Sequence, residues 1–127
     1  MTKAPASLDT SKLLDAAVSE VELQRRVVQL AKNLHWKVVH FRPAQSKSGR
    51  WMTAMQGDPG FPDLVLANGK RVLFVELKSQ KGRMEDEQHR WLDCLRVTGV
   101  AGPVQTFIWR PSDWRTGAIE AVLRGEM

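Results

Sequence analysis

Asp63, Glu76 and Lys78 set two carboxylates and an ammonium within a stretch otherwise dominated by cations. Carboxylate oxygens are hard ligands suited to Mg²⁺ or Mn²⁺. A cation held there polarises a phosphodiester and acidifies a bound water, and a neighbouring lysine orients that water or offsets charge on the phosphorane. From Arg42 to Arg83 the chain carries eight cations against three acids, Asp58, Asp63 and Glu76. A polyanionic substrate would meet the acids inside a positive field.

The elements around these residues decide whether they meet. Asp63 to Ala67, Asn68-Gly69 and Lys70 to Lys78 read as a hairpin, since Asn-Gly is the strongest short turn signal. A two-residue turn would pair Ala67 with Lys70, Val65 with Val72 and Asp63 with Phe74. Strand alternation then puts Asp63, Val72, Phe74, Glu76 and Lys78 on one face, with Asp63 diagonal to Glu76 and the backbones roughly 7–8 Å apart. A change of parity would separate them.

Two helices flank the hairpin. From Ser19, a plausible N-cap, to Leu34 the apolar residues Leu23, Val27, Leu30, Ala31 and Leu34 keep helical spacing, and Glu20 and Gln24 fall within their stripe. Glu20 is expected to face the core and so to need a partner, or else to complement the helix dipole at its first turn. A second helix, about Met84 to Val97, carries Gln88 on the face of Met84, Trp91, Leu92 and Leu95. That amide either serves the site or satisfies a backbone group. Trp36 to Phe41 and Val104 to Trp109 read as strands, and Pro111 to Leu123 as a short terminal helix or turn. A long loop lies between Phe41 and Asp63. Residues 1–17 are expected to form a flexible or loosely helical leader and 18–127 one domain, an α/β (α+β) fold of order αβββαβ with a mixed sheet flanked by helices.

Composition narrows the field further. The chain has 127 residues, 43% hydrophobic and 26% charged, with a net charge of +5 and a pI near 9.8. That is one ordinary globular domain with no bilayer-spanning run. One cysteine allows no internal disulfide, and the amino terminus lacks an apolar signal-peptide core, so a cytoplasmic location is expected. Cys94 has no partner at zinc-ligand spacing.

Taken together, the residues resemble the VRR-NUC (virus-type replication-repair nuclease) domain of the PD-(D/E)xK nuclease superfamily, in its stand-alone phage or bacterial form. The resemblance rests on Glu20-x-x-Leu23-Gln24, Gly60-Phe61-Pro62-Asp63-Leu64, Val75-Glu76-Leu77-Lys78, Gln88 followed by Trp91-Leu92, and Trp109-Arg110-Pro111. It implies a restriction-endonuclease-like core and Mg²⁺- or Mn²⁺-dependent DNA cleavage. It further implies that Asp63, Glu76 and the Leu77 carbonyl ligate the metal, that Glu20 reaches it directly or through water, that Lys78 assists the catalytic base and that Gln88 positions Lys78 or the water. Small members resemble Holliday-junction resolvases and form homodimers. A dimer also suits a paired cut, which needs two sites related by symmetry.

Arg42, Lys47, Arg50, Lys81 and Arg83 are candidates for phosphate contacts. Trp51, Met52 and Met55 are candidates for an interface, or for packing on their own sheet. His40 and Gln24 are placed behind the site. Two other readings of the chain remain, a catalytically inactive DNA-binding module and an interaction domain in which Asp63, Glu76 and Lys78 form an exposed salt-bridge cluster.

Overall fold

The computed structural model describes residues 5–41, 43–45, 51–53, 57–99 and 102–126, with side chains over 10–41, 57–99 and 102–126. Helix α1 (Pro5–Ala16) precedes α2 (Glu20–Asn33), whose N-cap Ser19 accepts the Glu22 N–H as the sequence suggests. Strand β1 (Lys37–His40) follows. A two-strand ribbon, β2 (Pro43–Gln45) with β3 (Trp51–Thr53), stands where a loop alone was expected. Then come β4 (Leu64–Ala67), β5 (Val72–Leu77), α3 (Asp86–Thr98), β6 (Val104–Trp109), α4 (Pro111–Arg115) and α5 (Ala118–Leu123). The expected single terminal element is split at Gly117, whose φ of +84° suits glycine.

The main sheet has the order β1-β4-β5-β6, antiparallel except for the parallel pair β5 and β6 joined through α3. One face is the core. Leu64, Leu66, Leu73, Val75 and Leu77 pack there with Leu23, Val27 and Ala31 of α2 and with Ile119, Val122 and Leu123 of α5. Trp36 closes one end, its Nε1 donating to the Leu123 carbonyl at 2.9 Å. Arg71 lies over the Trp36 ring and donates to Gln105 Oε1 and the Val122 carbonyl, which ties the hairpin to the carboxy-terminal helix. Helix α1 is anchored by a bidentate pair between Arg115 and the buried Asp15. On the opposite face Phe61 meets Phe41, Phe74 and Trp91 edge-to-face at centroid distances of 5.4, 6.0 and 5.0 Å.

The hairpin register corrects the expected one. Ala67 pairs with Val72, so the loop holds Asn68, Gly69, Lys70 and Arg71 rather than a two-residue turn. Asn68 Oδ1 accepts the N–H groups of both Lys70 and Arg71 at 2.9 Å, a local side-chain turn that competes with the tighter one. The register therefore moves by two residues. Because side chains alternate with a period of two, the faces are unchanged.

Helix α3 also begins later than expected, at Asp86 with Glu85 as its N-cap. Among the described residues no helix is long and apolar enough to cross a membrane.

Candidate active site

Continuing the hairpin register one step beyond Leu64 and Val75 sets Asp63 directly opposite Glu76, closer than the expected diagonal. Asp63 leaves the ladder there, and its Oδ2 accepts the Leu77 N–H at 2.8 Å. The turn of chain before it is fixed by Gly60. Its φ is +92°, and a Cβ there would stand 2.5 Å from the Glu87 carbonyl carbon and 2.8 Å from the Gln88 nitrogen. Only glycine lets the approach to Asp63 rest on the first turn of α3.

That contact brings Gln88 to Glu76. Gln88 Nε2 donates to Glu76 Oε2 at 2.7 Å, and its Oε1 accepts the Glu85 N–H at 2.8 Å. The amide thus serves both the site and a backbone group. Lys78 Nζ lies 3.7 Å from the same Oε2. Glu76 is 2% exposed and Lys78 8%, which excludes an exposed salt-bridge cluster. The other carboxylate oxygen, Glu76 Oε1, is buried and accepts from no N–H among the described residues.

Burial, reinforced by the charge of Asp63 and opposed by Lys78, pushes Glu76 up from 4.5 to about 8. Burial also raises Asp63, against the Leu77 N–H and Lys78, which favour its charged form. Two carboxylates this close in a dry site do not both ionise readily without a cation.

Glu20 is not core-facing as expected. It stands exposed at the first position of α2, yet its charge raises both Asp63 and Glu76. Gln24 and the exposed His40 are joined by a hydrogen bond of 3.1 Å between Nε2 and Nδ1. Lys81 and Arg83 are exposed between β5 and α3. Arg42, Lys47, Arg50 and Met55 lie outside the described residues, as do the side chains of Trp51 and Met52.

Sequence reasoning gave no structural task to Arg110. Its Nη1 donates to the carbonyls of Ser79 and Gly82, both at 2.8 Å, and to Gln80 at 3.3 Å. Ser112 N–H and Oγ grip the Gln80 side chain at 2.9 and 3.1 Å, and Lys78 N–H donates to the Trp109 carbonyl. The loop leaving Lys78 is thus held by the end of β6 and the start of α4. Only the arginine in Trp109-Arg110-Pro111 marks this in the sequence.

A family model, the VRR-NUC domain, matches residues 11–105, most of the chain. The chain belongs to the VRR-NUC family. No curated protein matches it. Membership places it in a nuclease family, and its mixed sheet flanked by helices is the α+β, PD-(D/E)xK-like arrangement of that family.

Proposed function

We propose that this VRR-NUC chain is a Mg²⁺- or Mn²⁺-dependent DNA endonuclease that acts on branched DNA, such as a Holliday junction, as a homodimer. The observation that carries the reading is the close pair of carboxylates, the buried Glu76 hydrogen-bonded to Asp63 in the metal-free chain, with the Lys78 ammonium 3.7 Å from Glu76 Oε2. Two carboxylates that meet in a dry site share a proton when no cation is present, and the same pair of hard oxygens suits a divalent cation in its place.

Asp63, Glu76 and the Leu77 carbonyl would hold the ion, with Glu20 reaching it directly or through water. Among the described residues no three His, Cys, Asp or Glu side chains form a complete cage. A hard cation that keeps water and substrate oxygens in its shell does not need one. When bound, Mg²⁺ or Mn²⁺ supplies charge neutralisation at the phosphate and acidifies a bound water.

The chain's own residues do the rest. Gln88 fixes the Glu76 carboxylate by donating to one oxygen, while the carboxyl group also meets Asp63. Lys78, held by Glu76 and by its backbone bond to Trp109, presents an ammonium to orient the attacking water or offset charge on the phosphorane. Lys81 and Arg83, with Arg42, Lys47 and Arg50, bind phosphates without reading sequence, so affinity falls steeply with salt. Gln24 of α2 and His40 of β1, hydrogen-bonded to each other, stand behind these residues.

The test is to incubate the protein with labelled four-way junction, flap and duplex DNA in Mg²⁺, Mn²⁺ or EDTA, beside Glu76→Ala and Lys78→Ala. Cutting that needs metal and is lost in both variants is expected, with paired symmetric nicks in the junction. Binding without cutting in either metal would make the chain a recognition module instead.

A further inference from the structure

Beside the site, one stripe of α3 borders an open cavity. Glu87, Arg90, Trp91 and Cys94 follow the i, i+3, i+4, i+7 spacing of a single helix face, and with Asp58 and Pro59 they line a cavity of about 350 Å³. Three of the four, Glu87, Arg90 and Cys94, are exposed, whereas Trp91 is half-buried against Phe61 and its Nε1 donates to the Asp58 carbonyl at 3.1 Å. The segments that line the cavity lead into the site. Asp58 and Pro59 run directly into Gly60 to Asp63, and Glu87 adjoins Gln88, which holds Glu76.

The lining chemistry selects its occupant. Two carboxylates against one guanidinium repel a phosphate, although the protein as a whole is positive. What remains favourable is a flat, mostly apolar group with amino hydrogens for Asp58 or Glu87 to accept, set against an indole. The volume is at the lower end of the roughly 300–1,000 Å³ of small-molecule sites. Arg90 at the rim, with Lys81 and Arg83 exposed on the segment that leads into α3, can meet the phosphates on either side.

We propose that this cavity takes one unstacked nucleobase of the substrate, seated against Trp91 within reach of Asp58 and Glu87. The proposal rests on the nuclease reading and deepens it. Continuous duplex keeps its bases stacked, whereas a branch point offers bases already freed, so the unstacking cost of a few kcal/mol is reduced there. The cavity thereby becomes the element that favours branched over plain DNA.

Cys94 lines the cavity and is the chain's one cysteine, which supplies a probe independent of cleavage. The protein is treated with iodoacetamide in EDTA, alone and saturated with a three-way junction carrying unpaired bases at its branch, or with the same junction made abasic at those positions. The base-bearing junction is expected to slow Cys94 alkylation about tenfold and to bind about tenfold tighter than its abasic counterpart, as one stacked base implies. Equal protection by the two junctions, or none by either, overturns the proposal. Cys94→Trp, which fills the cavity from an exposed position, should erase the difference in affinity between the two junctions, and a difference that survives also overturns it. Cleavage in Mg²⁺ is scored separately. A protein that cuts junctions while Cys94 stays reactive keeps the nuclease reading and loses the base pocket, whereas base-dependent protection without cutting does the reverse.

Discussion

Gln88 Nε2 donates to Glu76 Oε2 at 2.7 Å while the same amide accepts the Glu85 N–H at the start of α3. One side chain therefore locks a helix terminus to the carboxylate it orients, and the backbone bond fixes which amide atom faces Glu76. Gln88→Ala should lose about 1 kcal/mol of stability through the cap, and cleavage should fall roughly 10- to 100-fold as Glu76 loses its orientation. Gln88→Glu should fare worse by adding charge beside Glu76. Thermal melts and single-turnover rates check both, and an unimpaired rate in Gln88→Ala would remove the residue from the site.

The raised Glu76 makes the metal-free protein sensitive to alkali. Its folded value, about 8, lies above the ordinary 4.5, so the folded chain holds a proton that the unfolded chain releases between those limits. Stability from this group is complete below pH 4.5 and declines as pH rises toward 8, by on the order of a few kcal/mol. In EDTA the melting temperature should therefore drop between pH 5 and pH 8, and Glu76→Gln should flatten that slope. Mn²⁺ favours the ionised carboxylates, so its stabilising effect should grow over the same interval. A wild-type slope matched by Glu76→Gln would contradict this.

Lys78 is 8% exposed and approaches Glu76 Oε2, so its ammonium is aimed into the site rather than at solvent. Lys78→Met keeps the apolar stem and removes the charge. The rate should fall about 10²- to 10³-fold while Mn²⁺ binding, followed by calorimetry, persists. Loss of metal binding together with rate would instead give Lys78 a role in assembling the site.

Gly60 combines a φ of +92° with a backbone contact that leaves no room for a Cβ. Gly60→Ala should cost about 1–3 kcal/mol and push the first turn of α3, with Gln88, away from Glu76. A melt close to that of the wild type, with full activity, would show that the turn can yield.

Arg110 joins three carbonyls of the loop that leaves Lys78. Arg110→Lys retains the charge but loses the planar fork, and it should lower the turnover rate at saturating DNA more than it weakens DNA binding. Equal losses in both would assign Arg110 to the substrate contact.

Much of this protein was settled by its sequence alone, because periodicity and local turn chemistry act over a few residues. The Ser19 cap, the apolar stripe of α2, strands β1, β4, β5 and β6 and the shared face of Asp63, Glu76 and Lys78 all follow from spacings of two or about 3.6. That face survived even though the Asn68 side chain lengthened the turn, since a two-residue shift preserves parity. Tertiary structure decided what distance along the chain conceals. Gly60 against Glu87, Gln88 on Glu76, Arg110 over the loop after Lys78 and the exposure of Glu20 each depend on how separate elements meet. Glu76 meets Asp63 out of water only because the packed sheet and α3 bury a carboxylate that sequence alone could equally have placed at a surface.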